Sequence, residues 1–256
     1  MAEGFRLSDL AYCFYSTFHD GAAQYSPDGR RIVFESERKG QRGIWASDAD
    51  GSKAEELFSG RCGSPQWSPD GERVAYDCIR QENTDIYVMR ASGGKPIQLT
   101  NHPADDVSPT WSRDGNWVYL GSSRTGRIEI WKVSGGGEAI QMTRNGGETA
   151  YESPDGKYIY YVKQYFSSDL WKMPVNGGEE SRVLPSVVSR AFLPERAADA
   201  KFSIQFLSLA TGIVNTVSTM SEPPGEGLSV SADGRSLLFS QFDEAGSDLM
   251  LMANFR

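Results

Sequence analysis

A chain of 256 residues, 39% of them hydrophobic, is long enough to bury a sizeable core, and all-β repeat folds of this length form a single unit. The formal net charge of −8 argues against nucleic acid as a partner, because phosphate binding requires clustered Lys and Arg. No apolar run approaches the roughly eighteen residues of a membrane span, and the N-terminal MAEGFRLSDLAYCFYSTF lacks the apolar core and cleavage site of a signal peptide. As written, the chain is expected to be cytoplasmic; as a fragment of a larger protein it is expected to be periplasmic.

The elements are organised by a repeat. Ser-Pro-Asp-Gly stands at residues 26–29, 68–71 and 153–156, with variants at 112–115 and 231–234. The aspartates Asp28, Asp70, Asp114, Asp155 and Asp233 are separated by 42, 44, 41 and 78 residues, the last step being close to two periods. A second landmark follows in each unit: Ile44-Trp45, Ile86-Tyr87, Ile130-Trp131, Leu170-Trp171, Ile204 to Phe206 and Leu249-Met250. Six landmarks and five tetrads imply six units.

In chain order, residues 10–17 read as an isolated strand ahead of the first tetrad. The second unit shows the pattern within a unit. Residues 65–67 form a first strand, Asp70-Gly71 supplies the backbone angles of a tight hairpin, and residues 73–76 form the second strand. Residues 85–89 and 96–100 are the third and fourth, joined by a Ser-Gly-Gly turn. Asp48-Ala49-Asp50-Gly51-Ser52 occupies that same turn slot and lacks the glycine and glutamate spacing of an EF-hand, so it reads as a hairpin. Trp45, Trp67, Trp111, Trp131 and Trp171 recur at repeat positions and read as core between units. The fifth unit is degenerate, since residues 191–200 (AFLPERAADA) carry neither tetrad nor clear second strand. The last unit supplies three strands (227–230, 236–240, 247–252), so the N-terminal strand is expected to complete it and remove exposed sheet edges. The prediction is all-β: one six-bladed β-propeller of four-stranded blades over residues 1–256.

The run PQWSPDGERVAYDCIRQENTDIYVMRASGGKPIQLT resembles the repeats of TolB-like propellers, relatives of WD-repeat proteins, and the resemblance extends over essentially the whole chain. The C-terminal run GLSVSADGRSLLFSQFDEAGSDLMLMANFR is similar to the end of bacterial regulators in which a propeller follows a DNA-binding or kinase domain. This resemblance implies a binding or sensor module and is poorly specific for activity.

In a propeller, the loops that enter each first strand and leave each second strand gather at one channel mouth. Six residues before the tetrad serine stand Asp20, Cys62, Asp106 and Gly147, with His19 and Asp105 one position earlier and Glu148 one later. Seven residues after the tetrad aspartate stand Glu35, Asp77 and Gly121, with Lys163, Arg190 and Glu226 as candidates from the other units. These groups are expected to converge on a small polar ligand or a protein partner. The alternative is a lactone or ester hydrolase with calcium held by Asp20, Glu35, Asp77 and Asp106, acting as a Lewis acid, and His19 as the base. His102, before Pro103, reads as a turn residue. No Gly-x-Ser-x-Gly elbow is present. Cys62 and Cys78 are expected within one position of each other across the second unit's hairpin, as reduced thiols.

Overall fold

The computed structural model describes residues 10–14, 19–135, 138–164, 168–187, 202–208, 211, 213–220, 224–242 and 247–253. Among them are 22 strands and no helix. A single strand comes first, β1 (Leu10–Phe14). The first four-stranded blade is β2 (Asp20–Tyr25), β3 (Arg31–Ser36), β4 (Gly43–Asp48) and β5 (Glu55–Ser59). The second is β6 (Cys62–Trp67), β7 (Arg73–Arg80), β8 (Asn83–Arg90) and β9 (Ile97–Gln98). The third is β10 (Asp106–Trp111), β11 (Val118–Ser122), β12 (Glu129–Val133) and β13 (Ile140–Gln141), and the fourth β14 (Thr149–Glu152), β15 (Tyr158–Val162), β16 (Ser168–Pro174) and β17 (Ser181–Val187). A two-stranded sheet follows, β18 (Phe202–Leu207) with β19 (Val214–Met220). The last blade comprises β20 (Pro224–Val230), β21 (Ser236–Phe242) and β22 (Ser247–Ala253), joined by β1 in the order β1-β22-β21-β20.

The propeller therefore has five four-stranded blades among the described residues, which corrects the expected six. The reason is local. In the four-stranded blades an inner hairpin is closed by a tetrad, and the unit containing β18 and β19 has none. The degenerate stretch 191–200 lies outside the described residues. The expected closure by the N-terminus is present: Leu10 pairs with Met252, Ala11 with Leu251, Tyr12 with Met250 and Phe14 with Leu249.

Each tetrad is a small hydrogen-bonded unit. In the second blade Ser68 Oγ donates to Asp70 Oδ1 at 2.5 Å and accepts from the backbone N–H of Arg73 at 2.9 Å, while Glu72 N–H donates to the same carboxylate oxygen at 3.0 Å. Gly71 takes φ of 73°, the left-handed region that a side chain disfavours. The serine-to-aspartate bond recurs at Ser26, Ser112, Ser153 and Ser231. These bonds to the charged form hold all five aspartates below the ordinary carboxylate pKa range.

The core lies between blades. Val33 and Ile44 of the first pack with Trp67, Val74 and Tyr76 of the second. Trp67 N–H and Nε1 donate to Gln24 Oε1 and Gln24 O at 2.6 and 3.2 Å, and Trp111 Nε1 repeats the contact one blade on with Gln66 O at 3.2 Å. Ile204 and Met220 of the two-stranded sheet pack on Leu237, Phe239 and Met250 of the last blade. That blade meets the first, Tyr25 N–H donating to Ser229 Oγ at 3.0 Å.

Candidate functional site

The innermost strands share one irregularity. Register shifts fall at the same repeat position in β2, β6, β10 and β20. There Ala22, Ser64 and Ser108 take positive φ of 49°, 51° and 54°, and Gly227 takes 88°. Left-handed backbone at a non-glycine residue is strained, and strain repeated around one axis marks a feature the fold maintains. These residues line a channel cavity of about 520 Å³ whose other walls include Gln66, Thr110, Tyr151 and Leu228.

A wider cavity of about 680 Å³ forms the channel mouth. Glu35, Asp77, Asp105 and Glu148, four of the groups expected at the mouth, all line it and come from four successive blades. Each also has work within the fold. Glu35 Oε2 accepts from Ser64 N–H at 3.2 Å, and Asp77 Oδ2 from Ser108 N–H at 3.0 Å. The carboxylate ending one blade's second strand thus satisfies the strained amide of the next blade's first strand. Gly63 permits this approach, because a Cβ there would stand 2.4 Å from Glu35 Oε2. Asp105 Oδ1 accepts from Thr84 N–H at 2.8 Å while remaining exposed; Glu148 is buried. Arg42 and Arg61 share the lining, and Arg42 stands 3.7 Å from Glu35.

Asp20 and Asp106 occupy equivalent positions, as predicted, but both are fully buried and paired with arginines rather than lining the mouth cavity. Arg38 Nη2 meets Asp20 Oδ2 at 2.6 Å, and Arg124 Nη2 meets both oxygens of Asp106 at 2.8 Å. Each guanidinium also lies over a repeat tryptophan, Arg38 5.8 Å from Trp45 and Arg124 4.7 Å from Trp131. The sequence reading missed these arginines, although the signal was there: both stand ten residues after a tetrad aspartate, as Asp20 and Asp106 both stand eight before one. Lys163 pairs with Glu180 at 2.5 Å and lies over Trp171 at 3.8 Å, away from the mouth lining.

His19 is half-buried, its carbonyl accepting from Glu37 N–H at 3.2 Å. His102 is the expected turn residue, Nδ1 accepting from Ala104 N–H at 3.0 Å. Arg190 lies outside the described residues. Asp50 caps its turn through Ser52 N–H at 2.9 Å. Among the described residues, no group of three or more His, Cys, Asp or Glu side chains is arranged to hold a metal ion. Cys62 and Cys78 face each other directly, with Cα atoms 4.0 Å apart and the sulfurs joined in a disulfide. The register shift in β6 removes the one-position offset expected above, and the sulfurs it brings together are joined rather than held as the reduced thiols expected there.

The sequence family described as "TolB beta propeller domain" matches residues 56–189. A curated relative, the uncharacterized protein Atu1656 of Agrobacterium fabrum, is 33% identical over 80 residues, which are 30% of this chain and 27% of that protein. A solved putative TolB from Agrobacterium tumefaciens is 25% identical at a TM-score of 0.61, over 65% of this chain and 66% of that one. An oligogalacturonate lyase in complex with manganese is 11% identical at a TM-score of 0.66, over 96% of this chain and 93% of that one, a likeness of fold alone. The chain thus spans under a third of the curated relative and just under two thirds of the putative TolB.

Proposed function

The chain belongs to the TolB β-propeller domain family, and from that premise we propose that it is a binding module which recognises a cationic group of a small polar ligand or protein segment at the channel mouth. The observation that carries this reading is the meeting of Glu35, Asp77, Asp105 and Glu148 around one cavity of about 680 Å³. A concave site lined by like charges between low-dielectric walls focuses its field and attracts the opposite charge. Arg42 and Arg61 on the rim offset part of that field and would orient a ligand that also bears an acceptor. The strained bulges support the reading for two of the four, since the amides of Ser64 and Ser108 hold Glu35 and Asp77 in place. The calcium-hydrolase alternative lacks comparable support, because two of its four ligands, Asp20 and Asp106, are held by Arg38 and Arg124.

The test is titration of the full chain with spermidine, followed by calorimetry and thermal shift. Ligand binding to the folded state alone raises apparent stability by about 2.7 kcal/mol at a hundredfold excess over Kd. Binding should weaken in Asp105→Asn and Glu148→Gln, which keep shape and remove charge, and should fade with salt. Affinity unchanged by both substitutions would defeat the proposal.

A further inference from the structure

The inner hairpins of the first three blades open on the same register pair. It is Asp20 opposite Ser36 in the first blade, Cys62 opposite Cys78 in the second, and Asp106 opposite Ser122 in the third. In the first and third, an arginine ten residues past the tetrad aspartate clips both members together. Arg38 N–H donates to Ser36 Oγ at 3.3 Å while its Nη2 holds Asp20; Arg124 Nε donates to Ser122 Oγ at 2.9 Å while its Nη2 holds Asp106. The second blade keeps an arginine at that position, Arg80, but its guanidinium lies over Phe58 and Tyr87 at 5.6 and 4.8 Å. The entrance is closed by the disulfide instead.

We propose that Cys62–Cys78 is a redox-operated replacement for the arginine clip, closed when oxidised and opened at the channel mouth by a dithiol. Access is through the mouth, since Cys62 lines that cavity whereas Cys78 is not among its lining residues. Gly60 stands directly against both sulfurs beside the Phe58 ring: a Cβ there would stand 3.1 Å from Cys62 Sγ, 3.4 Å from Phe58 Cε1 and 3.6 Å from Cys78 Sγ. Both cysteines are buried, so exchange requires that the segment carrying Phe58 and Gly60 yield. A thiolate of the reductant attacks Cys62 Sγ, the S–S bond breaks, and Cys78 leaves as a thiolate. The second thiol of the reductant then attacks the mixed disulfide and releases Cys62. Two electrons and two protons pass to the cysteines, and the reductant ends as its own disulfide. The resulting thiols lack a carboxylate's two acceptor oxygens and cannot hold Arg80 as Asp20 and Asp106 hold Arg38 and Arg124. The reduced second blade therefore has no clip. Ser64 and Asp77, which line the mouth next to Cys62, then keep their bonds to Glu35 and Ser108 but lose the cross-link beside them.

The experiment is hydrogen exchange on the full chain, oxidised and after native reduction by dithiothreitol, with alkylation and mass measurement to count thiols. It does not depend on any ligand. Reduction should speed exchange about tenfold or more in peptides covering 60–64 and 76–80, with those covering 20–22 and 106–108 unchanged. The double variant Cys62→Asp/Cys78→Ser gives Arg80 the pair its counterparts hold, and should exchange slowly with or without dithiothreitol. Cys62→Ala/Cys78→Ser should exchange fast in both conditions. Failure of dithiothreitol to reduce the folded chain, or equal exchange in its two redox states, would overturn the proposal. Should a double variant not fold, that comparison of the native chain decides alone.

Discussion

The arginine clips show how much a single buried contact can carry. Asp106 is fully buried and Arg124 nearly so, and the guanidinium meets the carboxylate with two bonds of 2.8 Å. Removing one partner of such a pair leaves a desolvated charge, at a typical cost of about 3–5 kcal/mol. Arg124→Ala should therefore lower the denaturation free energy by that order, and Arg38→Ala should do likewise in the first blade. Arg30→Ala, at a turn, should change it by less than about 0.5 kcal/mol. Equal effects at Arg30 and Arg124 in urea melts would show that the clip contributes nothing. These clips were only half legible in the sequence. Repeat alignment found Asp20 and Asp106 as equivalents, but their partners lie across a hairpin, and charge alone does not tell a solvated carboxylate from a buried one. Glu35 and Asp77 were legible as mouth groups for the opposite reason, since the end of a strand after a known turn has only one place to be.

Among elements, the tetrad hairpins are the most legible, because everything that makes them lies within six residues. Ser68 Oγ makes one bond to Asp70 and accepts another from Arg73 N–H, and the side chain is fully buried. Ser68→Ala should destabilise by about 1–3 kcal/mol, the cost of a buried donor left unmade. The tetrad aspartates also set the response to acid. Their carboxyls are held below the ordinary pKa in the folded state, so their stabilising contribution is full above the unfolded value, near 3.9, and is lost as pH falls through the depressed folded values. Asp85 runs the other way. Burial raises its pKa, and neighbouring Asp106 raises it further, against hydrogen bonds from Asn83, Thr100 and Gln98 that lower it. Its contribution is present at low pH and lost as pH rises through the raised value. Melting temperature should thus drop below about pH 4, and Asp85→Asn should remove a shallow decline just above that point while leaving the acid limb intact. A variant whose whole profile overlays the parent would refute this assignment. The blade count was the element that the sequence misled on. Among the described residues the unit with the landmark Ile204 to Phe206 shows only β18 and β19, and residues 188–201 ahead of it lie outside them.

For the whole molecule, the decisive contact joins the two ends of the chain. Closure was legible because counting strands per repeat left the last blade one short and the N-terminus one over. The arithmetic needed no tertiary information, whereas the disulfide and the arginine clips needed lateral register. β1 lies on β22 from Leu10 opposite Met252 to Phe14 opposite Leu249, and without it β22 would be an open edge. Leu249 and Met250 are buried at the junction of the last blade with its neighbours, Leu249 packing with the first blade and Met250 with the two-stranded sheet. Exposing even one or two such side chains costs about 1.5–3 kcal/mol each. On the scale expected for a domain of this size, that lowers the melting temperature by roughly 3–24 °C. Deleting residues 1–14 should therefore lower the melting temperature by at least that amount. It should also reduce the slope of denaturant unfolding, because an open blade exposes surface before the main transition. Substituting Leu10 alone by proline removes one donor and tests the same contact more gently. An unchanged melting temperature and an unchanged slope in the deletion would mean that β1 is not what closes the ring.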